Sequence, residues 1–131
     1  MALIDSSVWI DYLTERPVPH AEILATRLDQ GLPVATTGIV MQELLQGVKT
    51  ERDAHLLRAR LSRLRYLPAG KSTHGTAASL YRKVRARGIT LPAVDALIAA
   101  IAVENGVPLL TADAAHFEAL ARVSKLRLLR E

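Results

Sequence analysis

Short apolar runs alternate with stretches of helical period along this chain. Ala2–Ile4, Pro33–Thr36 and Pro108–Thr111 have strand length, with a weaker run at Leu126–Leu129, and such runs between turn signals predict buried strands. A helix capped by Ser6 or Ser7 is expected to run to Leu13, and a second from about Pro19 to Gln30, where Gly31 can end it. Thr36-Thr37-Gly38 leads from a strand into a third helix that carries Glu43. Glu51 to Arg65 sets Leu56, Leu57, Leu61 and Leu64 against arginines, an amphipathic helix, and Ser72 to Arg87 forms another before Gly88. Pro92 suits the first turn of the next helix, Gly106 and Pro108 end it, and Asp113 can open a last helix through about Arg122. Strands alternating with helices predict an α/β three-layer sandwich, a mainly parallel sheet flanked by helices. With no repeat, low-complexity tract or linker, residues 1–131 are expected to form a single domain.

Four acids interrupt this pattern where apolar residues would be expected. Asp5 closes Met1-Ala2-Leu3-Ile4, Glu43 lies inside Ile39–Val48, Asp95 heads Ala93–Val103, and Asp113 follows Leu109-Leu110-Thr111. A buried carboxylate costs several kcal/mol, roughly, unless it is paired or bound to a cation. Each acid has an ordinary structural role open to it: Asp113 as a helix cap, Asp95 as a complement to a helix dipole, Asp5 as a cap for the helix that follows, Glu43 as a half-exposed helix residue. A shared hard metal ion accounts for all four together. Asp5 and Asp113 directly follow predicted strands and Asp95 lies in a first helical turn, so these three are expected at the carboxyl ends of the sheet, where open parallel sheets bind ligands. Gly47, one turn after Glu43, costs about 1 kcal/mol against Ala inside a helix, which points to a close approach there.

Composition changes the picture in two ways. The absence of cysteine excludes disulfides and thiolate zinc sites, and the 131 residues can bury roughly two-thirds of their unfolded surface without such staples. Charge then gives the surface a direction: 17 Lys plus Arg against 13 Asp plus Glu leave +4, and gathering four acids into one metal-bound pocket leaves the remainder more basic still. Arg58, Arg60, Arg63 and Arg65 form one cluster, Arg82, Lys83, Arg85 and Arg87 a second, and Lys125, Arg127 and Arg130 a third. Each alone is an ordinary solvated face, but together, around an acidic pocket, they suit a polyanion such as RNA, with affinity that falls steeply as salt rises. The amino terminus lacks a basic segment leading into an apolar one, and the apolar region Leu91–Leu110 is broken by Asp95, Glu104, Asn105, Gly106 and Pro108. The expected location is therefore cytoplasmic, with no membrane association.

A carboxylate set without cysteine or paired histidine selects Mg²⁺ or Mn²⁺ over zinc, since His20, His55, His74 and His116 are scattered. Such an ion activates water and stabilises charge on phosphate, so phosphodiester hydrolysis is the expected reaction. Ser6 and Ser7 beside Asp5 lack the Gly-x-Ser-x-Gly elbow of a serine nucleophile.

Leu3-Ile4-Asp5-Ser6-Ser7-Val8-Trp9-Ile10-Asp11, Gln42-Glu43-Leu44-Leu45-Gln46-Gly47, Asp95-Ala96-Leu97-Ile98-Ala99-Ala100, and Pro108-Leu109-Leu110-Thr111-Ala112-Asp113 with His116-Phe117 resemble, in order over nearly the whole chain, the PIN-domain ribonucleases. The likeness is strongest to the VapC-type toxins of bacterial toxin–antitoxin pairs. It implies a PIN-like fold in which Asp5, Glu43, Asp95 and Asp113 are catalytic acids that bind Mg²⁺ or Mn²⁺. Ser6 stands where the family has a small hydroxyl residue, and Thr111 matches its supporting Ser/Thr. His116 stands where many members carry a further Asp or Asn, so direct metal binding by it is not expected; a supporting or phosphate-contacting role and an ordinary helix-surface histidine both stay open. The resemblance also implies a homodimer and a cognate antitoxin protein covering the crevice. Trp9 and Tyr12 are candidates for the antitoxin groove or for core packing.

Few aromatic residues are available to stack on bases. Recognition of a structured RNA by charge and shape, with one short single-stranded loop at the site, is therefore favoured; transfer, ribosomal and messenger RNA all stay open. Two other classes compete. One is a catalytically silent PIN-fold binding module that works only in a repressor complex, which would fold without metal and cut no RNA. The other is an aspartyl-phosphate phosphotransfer domain, which needs a second acid close to Asp5 where this chain has Ser6 and Ser7.

Overall fold

The computed structural model describes residues 1–130, and its elements follow the predicted alternation. In chain order they are β1 (Ala2–Ile4), α1 (Ser6–Leu13), α2 (Pro19–Asp29), β2 (Val34–Thr36), α3 (Gly38–Gln46), α4 (Glu51–Leu61), β3 (Arg65–Tyr66), α5 (Lys71–Arg85), α6 (Ala93–Asn105), β4 (Leu109–Leu110) and α7 (Ala114–Arg122). All strand pairs are parallel, in the order β3-β2-β1-β4. Leu3 lies at the centre of the sheet, level with Ala35 on one side and Leu109 on the other.

That order fixes where a site can form. From β1 the chain steps outward through β2 to β3, then crosses the whole sheet to add β4 on the opposite edge of β1. The connections therefore diverge between β1 and β4, which opens a crevice at their carboxyl ends. Right-handed crossovers put α1 to α4 over one face and α5 and α6 over the other. The packing agrees: α1 rests on α2 and α3, and α3 on α4, whereas α5 packs against α6 and α7 contacts both.

Coverage of both faces explains why β1, β2 and β4 are buried throughout rather than alternating, with Ala2, Leu3 and Ile4 all fully buried. One continuous core joins them to Leu24, Leu61, Ile98, Ile101, Phe117 and Leu120, each buried side chain of this size contributing about 1.5–3 kcal/mol. Helix α6 is covered nearly all round, with Ala96 and Ile98 through Ala102 buried, and it ends on Gly106 in the left-handed conformation (φ 63°) that a glycine adopts without penalty. Among the described residues no helix is long and apolar enough to cross a membrane.

Several expectations need correction. The helix expected through Arg65 stops at Leu61, and Arg65 and Tyr66 instead form the edge strand β3. Both side chains are exposed, so the segment carries no alternation to reveal it. The weak run Leu126–Leu129 contributes a single bridge, Leu128 beside Leu109, and no strand. Leu56 does not share the buried face of α4 with Leu57 and Leu61 but is 51% exposed. Pro92 occupies the cap position before α6, not its first turn. Gly47 caps the end of α3 at φ −85°, and a side chain there would meet nothing nearer than 3.5 Å, so no close approach explains it.

Candidate metal centre at the carboxyl ends of β1 and β4

Asp5 is the first residue after β1 and the N-cap of α1, and its carboxylate is held from three sides. One oxygen, Oδ1, accepts from the Ser6 backbone N–H at 2.9 Å; the other, Oδ2, accepts from Ser7 Oγ at 2.8 Å and Thr111 Oγ1 at 2.9 Å. The cap is Asp5, a role open to it in the sequence, and not Ser6 or Ser7, which lie inside α1; Thr111, which the resemblance offered as a supporting residue, is the hydroxyl that reaches Asp5 from the far end of β4. The carboxylate is thus fixed in orientation while only 6% of the residue is exposed, and these donors offset part of the cost of burying it.

The loop after β4 is threaded onto the same hydroxyls. Thr111 Oγ1 also accepts from the Asp113 N–H at 2.9 Å, and Ser7 Oγ accepts from the Ala112 N–H at 3.1 Å. Asp113 stands at the cap position of α7, but its side chain makes no capping bond. It turns instead to His116, one helical turn on, whose Nδ1 lies 2.9 Å from Asp113 Oδ2 and 2.8 Å from Asp95 Oδ2. Asp95 reaches this point from the first turn of α6.

Asp95, Asp113 and His116 therefore each offer a donor atom within 4.8 Å of the others. Asp5 is near enough for its charge to act on Asp95. Burial pushes the Asp95 carboxyl above the ordinary carboxylate range; the hydrogen bond from His116 opposes this, and the charges of Asp5 and Asp113 add to it. A set of crowded carboxylates facing a single imidazole lacks positive charge, and oxygen donors with one nitrogen fit a divalent cation.

Glu43 stands apart. Its Oε1 accepts from Ser6 Oγ at 3.1 Å, so α3 reaches the centre through Ser6 and Glu43 is outside the tight donor group. Ser7 is the residue whose part the sequence reading missed: it bridges Asp5 to the loop after β4. The only available signal was a hydroxyl two places after the strand-end acid. The grouping of His116 with Asp113 was open to detection as an i, i+3 pair on a predicted helix.

Every residue of the three basic clusters is exposed; Arg127 donates to the Gly106 carbonyl ahead of β4, and Arg130 pairs with Glu118. Trp9, by contrast, is 4% exposed and serves the core. Its ring meets Tyr12 edge-on at 5.9 Å, and the Arg60 guanidinium lies 6.0 Å from the Tyr12 centroid.

Comparison with known proteins accords with this topology. The PIN domain family model matches residues 2–123. Ribonuclease VapC19 of Mycobacterium tuberculosis is 32% identical over 117 residues, covering 89% of this chain and 92% of that protein. Among solved structures, a chain of VapBC2 from Rickettsia felis, bound to a DNA fragment from its promoter, superposes with a TM-score of 0.78 at 20% identity, covering 98% of this chain and 96% of the other. VapBC-5 of Mycobacterium tuberculosis, a member of the VapBC family of toxin–antitoxin systems, gives 0.67 at 25% identity over 99% and 98% of the two chains. With the family model spanning nearly the whole chain and a ribonuclease relative covering most of it, this chain belongs to the PIN-domain family, in its VapC-type branch.

Proposed function

We propose that residues 1–131 form one nuclease domain, a metal-dependent endoribonuclease that acts as the toxin of a toxin–antitoxin pair. The observation that carries this is the meeting of Asp95 and Asp113, with His116, beside the hydroxyl-held Asp5 at the divergence of β1 and β4 in a chain related to a VapC ribonuclease. In this proposal Asp5, Glu43, Asp95 and Asp113 are the catalytic acids, and Ser6, Thr111 and His116 support them. Mg²⁺ or Mn²⁺ bound there would supply Lewis acidity toward water and phosphate.

The chain's own residues have distinct tasks. Ser7 and Thr111 lock the Asp5 carboxylate in one orientation, Ser6 steers Glu43 toward the same crevice, and the exposed arginines draw in the RNA backbone so that a phosphate can reach the acids. The partners are RNA, a cognate antitoxin and a second copy of the chain, in the cytoplasm. An apolar groove of about 480 Å³ between α1, α3 and α4, lined by Leu13, Val48, Leu56 and Leu57 and edged by Arg60, is a suitable seat for an antitoxin segment.

Cleavage of total cellular RNA by the isolated protein with Mg²⁺, with Mn²⁺ and with chelator, beside Asp5→Asn, tests this. Discrete metal-dependent fragments absent from the variant are expected. Folded, antitoxin-free protein that cuts nothing with either metal would point to the silent binding module instead.

A further inference from the structure

The tightest cluster of donor atoms in the crevice contains a nitrogen where an all-oxygen set was expected. His116 is the third residue of α7, and Asp113 precedes that helix, so the 3-residue spacing holds both side chains on one face. Asp95 comes from α6, an element buried nearly all round. Two helices thus bring two carboxylate oxygens and one imidazole nitrogen to within 4.8 Å of one another. The ring presents Nδ1, at 2.8 and 2.9 Å from the two oxygens, and with 35% of its side chain exposed it has an open side. Asp5 and Glu43, by comparison, already spend oxygens on Ser7, Thr111 and Ser6.

A nitrogen donor changes what such a centre selects. Mg²⁺ takes oxygen ligands and holds its waters tightly, whereas imidazole nitrogen raises affinity for first-row transition ions. We propose that His116 binds the metal directly through Nδ1, completing an Asp95–Asp113–His116 set that takes Mn²⁺ and its first-row neighbours in preference to Mg²⁺. The inference rests on the metal-centre reading above but is separable from it, because a centre built from the acids alone would bind metal without nitrogen.

The full-length protein, stripped with chelator and loaded with Mn²⁺ alone, provides the test by pulsed electron paramagnetic resonance. Directly bound imidazole imprints a ¹⁴N modulation on the Mn²⁺ echo, and His116→Gln is expected to abolish it. Mn²⁺ affinity should fall on the order of 10- to 100-fold in that variant, the scale on which groups supporting a metal act, while Mg²⁺ affinity falls less. His116→Asp should restore Mn²⁺ binding without the modulation and narrow the preference over Mg²⁺, which separates loss of the nitrogen from loss of the fold. Mn²⁺ that binds, and is lost in Asp95→Asn, but shows no ¹⁴N modulation would overturn the role of His116 and leave the metal centre standing. No saturable Mn²⁺ binding, or binding that Asp95→Asn leaves intact, would remove the centre and the inference with it.

Discussion

Two aspartate–histidine pairs of nearly equal length behave in opposite ways in this molecule. Asp11 Oδ2 lies 2.6 Å from His20 Nε2 and joins α1 to α2; Asp95 Oδ2 lies 2.8 Å from His116 Nδ1 and joins α6 to α7. Their carboxylates are about equally covered, 14% and 16% exposed. Yet the Asp11 carboxyl is held below the ordinary range, chiefly by the His20 hydrogen bond with help from the Arg16 charge, and the Asp95 carboxyl is raised, chiefly by burial with the charges of Asp5 and Asp113 added. The hydrogen bond is the same chemistry in both places. What differs is the company: Asp11 has Arg16 at 3.4 Å, whereas Asp95 stands among the acids Asp5 and Asp113. The first pair is already neutralised and serves as a staple; the second has unspent negative charge, which is what a cation site requires.

The sharpest way to break this contrast is to neutralise each aspartate in turn and measure RNA cleavage with saturating metal. Asp95→Asn should lower the rate by about 100-fold or more, at the upper end of what loss of a metal-supporting group costs. Asp11→Asn should stay within about twofold, because its partners Arg16 and His20 are outside the Asp95–Asp113–His116 group. Equal losses in the two variants would mean that both pairs act only through the fold.

Acid–base behaviour gives a second, smaller contrast in the metal-free protein. Asp95 is raised in the folded state, so between its ordinary value and its raised one the folded chain holds more protons than the unfolded chain. Its contribution to stability is therefore full below the unfolded value and is lost as pH rises through the folded one. Asp11 is depressed, so its contribution is present above the unfolded value and is lost as pH falls through the folded one. Melting temperatures followed between mild acid and neutrality should thus show Asp95→Asn gaining on the native chain as pH rises. Asp11→Asn should be slightly below the native chain at neutral pH and converge with it in acid. Parallel curves would show that the two carboxylates share one environment after all.

The same contrast separates what a sequence can and cannot disclose. Asp5, Asp95 and Asp113 could be placed at the crevice because each breaks an apolar run beside a strand end or helix start, a local signal with a known geometric consequence. That the sheet is mainly parallel also followed from local alternation, though the strand order did not. Edge strand β3 did not, because a two-residue strand exposed on both faces owes its existence to pairing with β2 and not to its own pattern. Nor could the sequence tell Asp11 from Asp95 by pairing: both histidine partners depend on how helices cross, nine residues away for Asp11 and 21 for Asp95. Glu43, singled out by the same reasoning as the other acids, touches the centre only through the Ser6 hydroxyl, a contact between elements 37 residues apart that no spacing rule encodes.

Ser7 gives the subtlest test of why Asp95 differs from Asp11, since it acts on the third acid and touches neither pair. Its hydroxyl donates to Asp5 Oδ2 and accepts from the Ala112 N–H, so Ser7→Ala removes one of three donors to a buried carboxylate and leaves one backbone N–H of an exposed loop to water. Losing a hydrogen bond to a charged group costs about 1.5–3 kcal/mol when nothing replaces it; Ser6 N–H and Thr111 still hold Asp5, which favours the lower end. Cleavage should fall by several-fold, because Asp5 keeps its place but loses part of its fixed orientation, while Asp11 and His20 are untouched. A Ser7→Ala variant as inactive as Asp95→Asn would instead mean that the orientation of Asp5, more than the charge gathered around Asp95, is what distinguishes the crevice pair from the staple.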